Sequence, residues 1–265
     1  MRIKPKKKLG QNFLVDKNLQ AKIIASCNFN DGDTVLEIGS GTGALTGLIA
    51  EKVKKIYALE FDRELARQLK DNFASYLNLV LIEGDILRLD FNEYFSAVEG
   101  KIKVFGNIPY YITTPIFEYL LGHRDKISEI YLTVQKEFAR RVVASPGNKE
   151  YGSLSCFVQY YAKPKIIFDI KQTSFYPAPK VDSSLLKIIP FGRGSLSINE
   201  EELLFKIIRT AFQQRRKFLI NSIERIVSGE LTKEFLNKRN INQKSRPENI
   251  SLETYLDFVK FLKNN

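Results

Sequence analysis

The stretch Thr34-Val35-Leu36-Glu37-Ile38-Gly39-Ser40-Gly41-Thr42-Gly43 decides how this chain folds. Its first half is a short, mostly apolar run that reads as a buried strand, and alternating glycines end it. Glycine accepts backbone angles other residues avoid, so the chain can turn sharply there. A ligand can then approach the N-terminus of the next helix closely. That helix carries Leu45, Leu48, Ile49 and Val53.

The same alternation continues outward from this stretch. Residues 55–60, 79–83, 102–106 and 130–134 read as further strands. Helical patterns follow at Leu65, Leu69 and Phe73, and again over 135–144. Strands alternating with helices predict a parallel sheet covered on both faces. Two more β-rich runs, 166–168 and 185–189, are expected to complete the sheet as a hairpin-like pair. Past Phe191-Gly192-Arg193-Gly194-Ser195 the character changes, and 200–227, 232–237 and 252–262 read as helices. The expected organisation is an α/β domain over 1–192 and a small helical domain over 193–265.

Composition limits the functions available. The 265 residues, 44% hydrophobic and 27% charged, can bury one sizeable domain and a smaller one. Against 30 Asp and Glu stand 41 Lys and Arg, leaving a net charge of +11. That excess favours polyanions, nucleic acid before an anionic membrane. Cys27 and Cys156 lack metal-ligand spacing and His123 stands alone, so neither a metal site nor Ser-His-Asp chemistry is expected. The basic start runs into Leu9-Gly10-Gln11-Asn12 rather than an apolar core, unlike a secretory signal. No apolar run approaches the ~20 residues of a membrane span. A cytoplasmic protein with reduced thiols is expected, as is a monomer.

Polar residues gather at the strand ends. Glu60 closes the second strand, 21 residues after Gly39, where a carboxylate can accept both hydroxyls of a ribose. Asp85 follows the third strand, placed to accept an adenine amine, and Asn107 follows the fourth. Gly39, Gly41 and Ala44 can also be forced onto the dinucleotide spacing G-x-G-x-x-G/A, so the glycines alone leave a nicotinamide enzyme open. Together with the acids after the second and third strands, the pattern resembles the Rossmann-like S-adenosylmethionine-dependent methyltransferase fold. Glu37 and Asp62 have simpler roles available, as caps of the loop and of the helix starting near Arg63.

Asn107-Ile108-Pro109-Tyr110 suits a flat ring bearing an exocyclic amine. The Asn107 side-chain oxygen and the Ile108 carbonyl can accept the amine's two N–H bonds while Tyr110 stacks on the ring. Beside a methyl-donor site this becomes a site for methyl transfer to a base.

With these motifs together, the chain resembles the ribosomal RNA adenine dimethyltransferases from about Lys8 to Ile223. Gly10-Gln11-Asn12-Phe13-Leu14 is similar to the family's N-terminal cofactor segment. The resemblance implies that Asn12 and Leu14 touch the methionine part of the donor, and that Gly39, Gly41, Glu60, Asp85 and Asn107 complete its site. Phe175-Tyr176-Pro177-Ala178-Pro179-Lys180-Val181-Asp182 resembles the family's F-x-P-x-P-x-V segment, implying that Phe175 sandwiches the target adenine against Tyr110.

Arg209-Thr210-Ala211-Phe212-Gln213-Gln214-Arg215-Arg216-Lys217 resembles the bacterial small-subunit (KsgA-type) branch, implying dimethylation of two adjacent adenosines in 16S rRNA. On one helix, Arg209, Arg216 and Lys217 would form a basic strip for phosphates, with Arg215 beside them, and Lys4, Lys6, Lys7 and Lys8 would extend it. Two rivals remain open: the same chemistry on large-subunit RNA or DNA, and an RNA-binding factor that keeps the fold without activity.

Overall fold

The computed structural model describes residues 5–192, 194 and 196–264 and, for Lys7, the backbone alone. Two compact units emerge, 1–139 with 162–192, and 140–161 with 193–265. Arg193, where the sequence places the boundary, lies outside the described residues. Residues 140–161 cluster with the C-terminal helices because Tyr151 and Cys156 are buried in that unit's core, a long-range contact that local patterning does not reveal.

In chain order the elements are β1 (Phe13–Leu14), α1 (Lys17–Ser26), β2 (Thr34–Ile38), α2 (Thr46–Ala50), β3 (Lys55–Glu60) and α3 (Arg63–Asn72). Next come β4 (Leu79–Glu83), α4 (Phe91–Phe95), β5 (Ile102–Asn107), α5 (Thr113–Gly122), β6 (Ile127–Gln135), α6 (Lys136–Val143) and α7 (Ser153–Tyr161). The chain finishes with β7 (Ala162–Ile170), β8 (Phe175–Tyr176), β9 (Ser183–Pro190), α8 (Ile198–Gln213), α9 (Leu219–Ile223), α10 (Gly229–Lys238) and α11 (Leu252–Lys263).

Seven strands form one sheet in the order β4-β3-β2-β5-β6-β9-β7. All run parallel except β9, which is antiparallel to both its neighbours. The fold is the mostly parallel α/β architecture expected. Its central strands are buried on both faces, which is why they read as continuous apolar runs. From β2 the chain winds outward through β3 and β4, then crosses back to β5. Ligands of such sheets bind at that switch point, beyond the strands' C-terminal ends. The register brings Ile38 opposite both Leu59 and Gly106, so the ends of β2, β3 and β5 lie level.

The glycines divide the labour there. Gly39 and Gly41 take positive φ, +74° and +59°, to turn the chain. Gly43 also makes room: a Cβ would sit 2.5 Å from the Phe73 ring and 2.8 Å from Leu69.

In the second unit Ser197 opens α8 with a capping box to Glu200. Leu204, Ile207, Ile208 and Ala211 then bury one stripe against Leu219, Phe235, Tyr255 and Phe258. The single helix expected over 200–227 is broken. It ends at Gln213, and a turn precedes α9, where the Leu219 N–H donates to the Ser245 carbonyl at 2.8 Å. No helix among the described residues is long and apolar enough to cross a membrane.

Candidate active site

A cavity of about 310 Å³ opens at the ends of β2, β3, β4 and β5. Gly39, Gly41, Glu60, Asp85, Asn107 and Tyr110 all line it, so the polar strand ends meet as the sequence predicts. Phe61, Leu65 and Ile86 supply apolar wall.

Glu60 is buried and held at both oxygens. Oε2 accepts the Gly41 N–H at 2.7 Å and Oε1 the Asp62 N–H at 2.8 Å. The carboxylate thus locks the glycine turn onto the end of β3, and each oxygen keeps a further lone pair with which to accept. Burial pushes its pKa up, against the opposing pull of these backbone donors. Asp85 accepts the Leu87 N–H through Oδ1 at 3.0 Å, which leaves Oδ2 for another donor.

The N-terminal segment, singled out in the sequence by its family resemblance and not by periodicity, forms another wall. Leu9, Gly10, Gln11, Asn12 and Phe13 border the cavity. Gly10, at φ +62°, lies flat against the Tyr111 ring, which a Cβ would meet at 3.3 Å. The Asn107 Nδ2 donates to the Asn12 carbonyl at 3.1 Å. That bond settles which way the carboxamide faces: its nitrogen is committed to the strap and its oxygen is left to accept. Gly106 precedes it because a Cβ there would lie 2.9 Å from Ile108 and 3.2 Å from the Ile38 carbonyl. Tyr110 is half-buried, and its hydroxyl shares a 2.6 Å hydrogen bond with Ser183, a fully buried residue of β9. Burial raises the pKa of this phenol.

The model of the family described as "Ribosomal RNA adenine dimethylase" matches residues 2–264. The chain belongs to the ribosomal RNA adenine dimethylase family. Relatives named ribosomal RNA small subunit methyltransferase A include one from Moorella thermoacetica, 39% identical, with 98% of this chain and 93% of the relative covered. Another, from Caldanaerobacter subterraneus subsp. tengcongensis, is 40% identical with 98% of each chain covered. A dimethyladenosine transferase from Plasmodium falciparum superposes with a TM-score of 0.78 at 26% identity, covering 95% of this chain and 98% of that one. The 23S rRNA methyltransferase ErmE shares the fold, with a TM-score of 0.75 at 21% identity over 95% of this chain and all of its own. As a member of the family, the protein is a methyltransferase that uses S-adenosylmethionine.

The residues present fit that donor. Glu60 offers an acceptor-only group suited to ribose hydroxyls, Asp85 a free acceptor suited to the adenine amine, and Ile86 with Phe61 apolar surface for a flat ring.

Leu14 and Phe175 are placed differently from the polar strand ends. Leu14 and Phe175 pair with each other in the β1–β8 ladder, and both are buried in the first unit's core, at 6% and 4% exposure. In a strand, alternate side chains face opposite ways. Turning Leu14 and Phe175 inward therefore leaves Phe13 on the other side, at the cavity wall. Leu14 does border a narrow recess behind the glycine turn, with Glu37 and Ser40, but not the main cavity. Phe175 is a core residue and is not among the residues that line the cavity with Tyr110.

The basic residues also sort differently from expectation. Arg209 lies exposed on α8, whereas Arg215, Arg216 and Lys217 occupy the turn after it rather than a continuing helix. Arg215 is partly exposed and tied to its own unit, donating to Glu248 at 2.9 Å and to the Lys149 carbonyl at 2.7 Å. Arg216, Lys217 and Lys8 are exposed; Lys4 and the Lys7 side chain lie outside the described residues.

Proposed function

We propose that this protein transfers methyl groups to the exocyclic amines of two adjacent adenosines in 16S rRNA, within the small ribosomal subunit or its precursor. Each adenosine would be dimethylated, each transfer leaving S-adenosylhomocysteine and a proton that passes from the methylated nitrogen to water. The observation that carries this proposal is the Asn107 carboxamide, whose nitrogen is held by the Asn12 carbonyl, which leaves its oxygen to accept, in a residue that lines the same cavity as Tyr110.

An adenine amine is a poor nucleophile because its lone pair is delocalised into the ring. Hydrogen bonds from its two N–H groups to the Asn107 oxygen and the Ile108 carbonyl favour a pyramidal nitrogen. Pro109 holds an extended backbone, at φ −61° and ψ 135°, that sets Tyr110 beside that carbonyl. Tyr110, braced by Ser183, offers a face for the base. Most of the rate enhancement is then positioning. S-adenosylmethionine, when bound, supplies a sulfonium methyl with a neutral leaving group, so the side chains need provide neither a strong base nor a metal. After one methylation a single N–H remains, and a neutral carboxamide tolerates losing its partner better than a carboxylate would.

The small-subunit assignment is supported by relatives at 39–40% identity named small subunit methyltransferase A. Exposed Arg209, Arg216 and Lys217, with Lys7 and Lys8, would meet phosphates, and the net charge of +11 suits that partner. The protein would act in the cytoplasm, as a monomer. The test is methyl transfer to isolated 30S particles, 50S particles and naked RNA, followed by nucleoside analysis. Dimethyladenosine from the 30S sample supports the proposal; label confined to 50S would move the protein to the large-subunit branch.

A further inference from the structure

Asp62 has more partners than a helix cap requires. It is the N-cap of α3, and its Oδ1 accepts the Glu64 N–H at 3.1 Å. One oxygen suffices for that role. The other, Oδ2, accepts the Gln11 side-chain amide at 3.0 Å, while Oδ1 also takes the Lys6 ammonium at 2.7 Å. Gln11 in turn accepts the Lys6 backbone N–H at 2.8 Å. Lys6, Gln11 and Asp62 therefore close a ring around the first turn of the N-terminal strap. Lys6 also approaches the exposed Glu64 at 3.3 Å.

The strap is pinned again at its far end. Gly10 lies on Tyr111, and the Asn12 carbonyl takes the Asn107 amide at 3.1 Å. Between the two pins runs the wall of the cavity. Asp62 does not line that cavity and is 5% exposed.

We propose that Asp62 is a positioning residue which, by fastening Lys6 and Gln11, holds the strap in the register that orients the Asn107 carboxamide. The proposal rests on the cavity being the methyl-transfer site. A loosened strap withdraws the Asn12 carbonyl, and the carboxamide can then present its nitrogen, a donor, to an amine that needs an acceptor. Donor binding suffers too, since Gly10 to Phe13 form one wall.

The test uses the full chain carrying Lys6→Gln, Lys6→Arg or Asp62→Asn. Asparagine still caps a helix, so Asp62→Asn removes the charge while sparing α3. Three quantities are read: kcat at saturating donor and RNA, donor affinity by calorimetry, and amide exchange of residues 10–13 against residues 66–69 of α3. We expect kcat to fall roughly tenfold in Lys6→Gln and Asp62→Asn, as for loss of a charge-assisted hydrogen bond. Exchange should quicken in the strap alone, and Lys6→Arg should stay within about twofold of wild type. A purely structural Asp62 would instead speed exchange in α3 and leave kcat unchanged. Wild-type strap exchange and kcat in Lys6→Gln would overturn the proposal, even if Asp62→Asn fails to fold. Exchange reads the clasp without turnover, so a wild-type protein that binds no donor would count against the cavity's assignment and not against the clasp.

Discussion

Glu37 should make the protein less stable as the pH rises through neutrality. Its side chain is 2% exposed, and its main partner is the Thr46 hydroxyl, which donates to Oε2 at 2.6 Å. Burial, with Glu60 adding a little, pushes its pKa from 4.5 up to about 7, although the Thr46 hydroxyl opposes the change. Between those values the folded state holds a proton that the unfolded chain has released. The stability from this group is complete below about pH 4.5 and is lost as the pH climbs through 7. The gap corresponds to about 3 kcal/mol at ~1.4 kcal/mol per pH unit. Glu37→Gln keeps the shape and an acceptor for Thr46 but cannot ionise. Urea unfolding at pH 8 should find the variant more stable by about 3 kcal/mol, and at pH 5 the advantage should shrink to about 1 kcal/mol or less. Any packing cost of the amide is common to both conditions, so their difference isolates the charge. A difference that does not change with pH would refute the reasoning.

Four further outcomes follow from the geometry. Glu60→Gln places an amide nitrogen against a backbone N–H of Gly41 or Asp62, so donor affinity measured by calorimetry should drop about 10- to 100-fold. Gly43→Ala must fit a Cβ 2.5 Å from Phe73 at φ +81°, and denaturant unfolding should show a loss of about 2–4 kcal/mol. Removing exposed Arg216 or Lys217 should weaken RNA binding and reduce its salt slope by about one each, whereas Arg215→Ala should lower unfolding stability by breaking its ties to Glu248 and Lys149.

The main sheet is legible in the sequence because its central strands are buried on both faces, and these strands and the edge strand β4 appear as apolar runs between glycines and acids. Residues 34–38, 55–60 and 79–83 fall on strands with those limits. Helix α5 is harder to see: Thr113, Thr114 and Pro115 open it, although Pro in a first turn removes only an N–H that has no partner there. The β1–β8 ladder leaves no periodic trace, since two-residue strands from distant segments find each other only in the fold. That pairing explains why Leu14 and Phe175, prominent in their motifs, are core residues while Phe13 reaches the cavity. The cavity-lining positions Glu60, Asp85 and Asn107 are readable because each ends or follows a strand. The clasp by Asp62 is not, because it joins residues 56 and 51 positions apart through side-chain bonds alone. Similarly, nothing local marks Arg215 as the cation that is tied to Glu248 and Lys149.

The central claim is that the Asn107 carboxamide oxygen receives the adenine amine. Single-turnover transfer by Asn107→Ala to 30S particles, with donor binding measured on the same preparation, tests it most directly. The geometry predicts bound donor, somewhat weakened, and no methylated adenosine by nucleoside analysis. Dimethyladenosine formed at near wild-type rate by that variant would contradict the role assigned to the amide.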